Sequence, residues 1–111
     1  MVEGLALSAG IILLMILMSA WTASQLPDGP VPVHFDIRGR ADKFGSRWVA
    51  LATLPVCYIF LAAFLAWIGF RTPPEEQADQ LVGQSVAGVA ILGAHAFIIW
   101  LLLRWATARQ P

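Results

Sequence analysis

Three long stretches without a charged side chain constrain this sequence more than any other feature. Leu5 to Ala23 reads LALSAGIILLMILMSAWTA, Trp48 to Phe70 reads WVALATLPVCYIFLAAFLAWIGF, and Leu81 to Leu103 reads LVGQSVAGVAILGAHAFIIWLLL. A helix needs roughly 20 residues to cross a hydrocarbon core of about 30 Å. Backbone polar groups in lipid must be satisfied within the segment, so such runs become helices. The expectation is an all-α integral membrane protein. One membrane domain covers residues 1–111, with helices over 5–23, 48–70 and 81–103, a structured Pro/Gly-rich loop over 24–47 and a short polar hairpin before the third helix.

Composition supports this reading. Soluble domains carry about a quarter charged residues, whereas this chain has 13% and is 59% hydrophobic. Its formal net charge is zero, so no global field attracts nucleic acid, and no nucleic-acid partner is expected. The lone Cys57 excludes an internal disulfide or a multi-cysteine zinc site. Glu3 stands where a secretory leader has basic residues, which argues against cleavage of the first run.

The polar chemistry is gathered in LPDGPVPVHFDIRGRADKFGSR, Leu26 to Arg47, with three prolines and three glycines. PDGP is turn chemistry. Val31, Val33, Phe35 and Ile37 alternate with Pro32, His34 and Asp36, a period of two that gives one apolar and one polar face. The prolines predict an extended or edge segment whose apolar face lies on the helix ends. RGRADKFGSR reads as a second turn region, with Ser46 as N-cap of the second helix.

Within the helices, Pro55 predicts a kink whose freed carbonyl finds a neighbour. Pro73 and Pro74 end the second helix, and Glu75, Glu76 and Asp79 suit the start of the third. Gly83, Ala87, Ala90 and Ala94 form a small-residue stripe that lets another helix approach, a candidate homo-oligomer contact. Gln84, Gly88, Ile91 and His95 form the neighbouring stripe. Gln84 reads as interhelical glue. His95 is the ionisable residue within a span, and such residues are functional candidates by default.

Leu26-Pro27-Asp28, then Pro32, His34 and Phe35, then Gly39, Asp42 and Gly45-Ser46-Arg47, with Pro55 in the next helix, make a pattern of fixed spacings. It resembles the domain of unknown function at the N-terminus of SdpI-type membrane proteins. The resemblance covers residues 26–55. It implies a bacterial plasma-membrane protein that takes part in immunity to a secreted toxin, or in signalling by holding a transcriptional repressor at the membrane. Longer members carry a second block of helices. This chain has one further helix, and only GFRTP, Gly69 to Pro73, is similar to a motif there.

Orientation draws on both sources. Arg38, Arg40, Lys43, Arg47, Arg104 and Arg109 share one side against Arg71 on the other, which places the loop in the cytoplasm by the positive-inside rule. Members of the resembled family often begin with lysines, which implies a loop outside. The expectation adopted is a multi-pass plasma-membrane protein with loop 24–47 outside the cytoplasm.

The recognition candidates are Pro27, Asp28, Pro32, His34, Phe35, Asp36, Arg38, Gly39, Asp42, Ser46 and Arg47, and the intramembrane polar pair is Gln84 and His95. His34 with Asp28, Asp36 and Asp42 offers metal-ligand chemistry. The same side chains commonly bond turn backbone, and no tight ligand motif is present, so no metal, cofactor or catalytic group is assigned. The leading reading is a non-catalytic protein embedded in the lipid bilayer that binds a protein or peptide through the loop. Two alternatives stand beside it. One is a subunit of an oligomeric transporter or channel with His95 in the bundle. The other is a small metal-dependent membrane enzyme using His34.

Overall fold

A computed structural model describes residues 2–109. The elements in order are α1 (Val2–Gln25), β1 (Val31–Phe35), β2 (Ala41–Gly45), α2 (Arg47–Arg71), a 3-10 turn (Pro74–Glu76) and α3 (Gln77–Ala108). The fold is mostly helical, as expected, and all three helices are long and apolar enough to span a bilayer. At 1.5 Å per residue they run about 36, 38 and 48 Å. Each extends the expected span by a few residues at its ends. The molecule measures 58 × 26 × 17 Å, a narrow bundle with α1 packed on both α2 and α3.

One expectation is corrected. Residues 38–47 are not a turn region throughout, because Ala41–Gly45 pairs antiparallel with Val31–Phe35 as a β-hairpin. The register runs Val31↔Gly45, Pro32↔Phe44, His34↔Lys43 and Phe35↔Ala41, with irregularities on either side of His34. ADKFG lacks the β-branched residues that favour strands, so tertiary pairing rather than propensity makes it one. Pro32 is tolerated because a two-stranded sheet is all edge.

The hairpin is seated on the bundle end. Val31 is fully buried in an apolar cluster with Ala23, Leu26, Leu51, Ile99, Leu102 and Ala106. Phe35 packs against the same cluster, as the alternation required. Pro32, expected on the polar face, is buried instead, and Ile37 breaks the pattern too. It lies in the turn and is fully exposed (102%), because the chain leaves the strand at Phe35.

The bundle is arranged for lipid. Leu17, Phe60 and Val89 stand on the outside, more than half exposed, while Ser8, Ser19, Thr22, Gln84 and His95 are buried. Polar groups in hydrocarbon cost free energy unless paired, so they turn inward, where Thr22 bonds within α1 and the other four bond across helices.

Candidate functional site

The hairpin end separates its polar residues into those that build the frame and those left facing outward. Asp36 belongs to the frame. Its Oδ1 accepts from the backbone N–H of Arg38 and of Arg40, each at 2.9 Å. Its own N–H donates to the Arg40 carbonyl at 2.8 Å, and Gly39 N–H donates to the Asp36 carbonyl at 2.9 Å. The turn needs a positive φ at Gly39 (+79°), a region that L side chains rarely adopt.

Arg47, one of the recognition candidates, also belongs to the frame. Nη1 donates to the Ala23 carbonyl at 2.6 Å and to that of Leu26 at 3.4 Å, and Nη2 donates to the Pro27 carbonyl at 2.6 Å. The last carbonyls of a helix lack intrahelical partners and carry partial negative charge. A planar guanidinium spans several of them at once where an ammonium cannot. Next to it, Ser46 caps α2 as expected, accepting from Trp48 N–H at 3.2 Å. Pro32 is buried at the seat of the hairpin.

What remains outward is small and definite. His34 Nδ1 and Asp42 Oδ1 are 2.7 Å apart, with side chains 60% and 42% exposed. Ile37, Arg38 and Arg40 surround the tip, while Pro27 and Asp28 are exposed on the connection from α1. Asp36 is committed to the turn and does not join His34 and Asp42. Among the described residues, no three His, Cys, Asp or Glu side chains come together as a metal-binding group.

Two clefts separate the hairpin from the bundle. One, of about 450 Å³, lies between β1 and the faces of α2 and α3 that carry Ala50, Phe97, Ile98 and Leu101. The other, of about 470 Å³, is bordered by Arg38, Arg40, Phe44, Arg104, Trp105 and Arg109. The charge asymmetry read from the sequence is thereby focused. The hairpin end holds six basic residues with Asp28, Asp36 and Asp42, and the opposite end holds Arg71 with Glu3, Glu75, Glu76 and Asp79.

Four of the buried polar residues form two knots, while Thr22 Oγ1 donates to the Met18 carbonyl within α1 at 2.7 Å. In the first, Pro55 has no N–H to offer the Leu51 carbonyl four residues back. Ser19 Oγ donates to that carbonyl at 3.0 Å instead, and His95 Nε2 lies 2.8 Å from the same Oγ. The single serine proton is committed to Leu51, so Nε2 is the donor in the second bond. The Met15 backbone lies against the ring, and Nδ1 has no hydrogen-bond partner among the described residues. In the second knot, Gln84 Nε2 donates to the Gly4 carbonyl and to Ser8 Oγ, both at 2.8 Å. Gln84 is therefore the interhelical glue expected of it.

The stripes on α3 are assigned by these knots. Gln84, Gly88 and His95 turn inward, whereas Gly83, Ala90 and Ala94 are exposed and Ala87 is half-buried. Gly88 is a close-approach residue inside one chain, since a Cβ there would come within 2.5 Å of Ile11 Cδ1. The residue missed in the sequence was Ser19. The orphan carbonyl that Pro55 leaves on Leu51 was a signal for it, because a proline in a span calls for a donor on a neighbour.

Residues 10–59 match the family described as Domain of unknown function (DUF1648). No curated protein matches the chain, and no solved structure does. The matched segment runs from α1 through the hairpin into α2. It therefore contains Ser19, the hairpin frame, Arg47 and Pro55, and it leaves all of α3 outside.

Proposed function

We propose that this is a non-catalytic, SdpI-like membrane protein of bacteria that binds a protein or peptide through the outward face of its hairpin, in immunity or signalling. The hairpin faces outward from the plasma membrane. The supporting observation is the division of polar residues at that end. Asp36, Ser46 and Arg47 fix the frame, while the His34–Asp42 pair and the fully exposed Ile37 occupy positions that the fold does not need. A rigid platform presenting one apolar and a few polar groups suits recognition, because little ordering cost remains on binding.

The test is a photo-crosslinking residue at His34 in native membranes, with the captured species identified by mass spectrometry. A discrete protein or peptide, lost in Asp42→Ala, supports the reading. Capture of lipid alone, or of the protein's own copies, overturns it. Orientation is tested separately with His34→Cys in a Cys57→Ser background. A membrane-impermeant thiol reagent should label it on intact cells, and labelling only after lysis reverses the assignment.

A further inference from the structure

We propose that the cleft between the hairpin and the last turns of α3 binds an anionic phospholipid, with the phosphate among the guanidinium groups of Arg38, Arg40, Arg104 and Arg109. The four arginines border one cleft of about 470 Å³, and among the described residues no carboxylate lines it. Among the described residues, none of their guanidinium groups is ion-paired with an acidic side chain. Arg104 and Arg109 instead lie over the Trp100 and Trp105 rings, at 5.4 and 4.8 Å from the centroids. Stacking orients a guanidinium and leaves its edge N–H groups free to donate. Like charges held around one concavity repel one another, and a phosphate relieves that repulsion while accepting several charge-assisted hydrogen bonds.

The source of the phosphate is read from what adjoins the cleft. The arginine cleft shares Phe35, Gly39 and Leu101 with the neighbouring groove, which continues past Ile98 and Phe97 into the apolar length of α3. A free phosphate has no use for that groove, whereas an acyl chain attached to the bound headgroup would follow it. The level is right as well, because Trp48 and Trp105 mark the interfacial belt where headgroups lie. A zwitterionic headgroup would bring its own cation among four others, so a net negative lipid is preferred. This inference does not depend on the protein-binding reading, which rests on the His34–Asp42 pair.

The experiment uses the full chain, delipidated in detergent and examined by native mass spectrometry. Dioleoylphosphatidylglycerol is added against dioleoylphosphatidylcholine, dioleoylglycerol or inorganic phosphate. The wild type should retain the phosphatidylglycerol in preference to the other two lipids, and inorganic phosphate should not displace it. Arg38→Gln/Arg40→Gln and Arg104→Gln/Arg109→Gln should each lower retention roughly thirtyfold, at about one surface charge's worth of attraction per arginine. Arg71→Gln, at the far end, should leave retention unchanged. The hairpin pair stands alone as the test if the α3 pair alters the helical melting curve. Undiminished retention in the hairpin variant, or equal retention of dioleoylglycerol, overturns the site. Ready displacement by inorganic phosphate overturns the lipid as its occupant.

Discussion

The chain's two histidines sit in nearly the same bonding geometry, and almost nothing else about them agrees. His34 lies 2.7 Å from Asp42 at the wet end of the molecule, with 60% of its side chain exposed. His95 lies 2.8 Å from Ser19 at the centre of the bundle, with none of its surface exposed. Water can replace the first bond at little cost. Nothing in a hydrocarbon surround replaces the second, because an unpaired polar group there bears its full desolvation penalty. The polar bond of the hairpin tip can thus be exchanged for water, whereas the Ser19–His95 bond helps to hold the bundle together.

The comparison breaks hardest at Arg47, a hairpin-end residue that behaves like an interior one. Arg47→Ala should destabilise the protein by about 3 kcal/mol, since bonds to a charged donor are worth roughly 1.5–3 kcal/mol each. Arg47→Lys should recover only part of the loss. Unfolding followed by circular dichroism in detergent reads both, and a wild-type melting curve for Arg47→Ala would refute the cap. Next comes Gly88→Leu, expected to cost about 2 kcal/mol by overpacking against Ile11 while leaving the hairpin intact.

Ser19→Ala should cost about 1–2 kcal/mol by stranding the Leu51 carbonyl and His95 Nε2. Adding Pro55→Ala should return part of it, because residue 55 regains an N–H for that carbonyl. The coupling in this double-mutant cycle is expected near 0.6 kcal/mol, the size measured for hydrogen bonds within bilayers. Strict additivity would mean that the serine does not serve the proline. The smallest effect is at His34→Ala, below about 0.5 kcal/mol as for other exposed pairs. Its loss of captured partner, with stability unchanged, would sharpen the contrast between the histidines.

The spans were legible because hydrocarbon thickness sets helix length directly, and the Ser46 cap was legible because capping is local. The inward face of α3 was harder. Gly83, Ala87, Ala90 and Ala94 advertise close packing, yet the face that packs carries Gln84, Gly88 and His95. In water an apolar stripe marks the inside of a helix. In lipid both faces are apolar, and the polar residues are the better marker of the interior. Strand β2 was illegible because Ala41–Gly45 is short, charged and exposed, and its pairing comes from the partner strand. Arg47 was grouped with its charged neighbours because sequence gives its charge but not its aim towards Ala23, 24 residues earlier.

The knot around Ser19 also bears on how the protein is made. Synthesis delivers α1 first, α2 next and α3 last. When α2 enters the membrane with the bare Leu51 carbonyl, the serine that serves it is already there. The hydroxyl then keeps a lone pair, which His95 takes when the final helix arrives. The carbonyl that α2 leaves bare and the Nε2 that α3 brings are each met by a helix inserted before them, so for this pair a growing chain has no need to hold α2 back until α3 is complete.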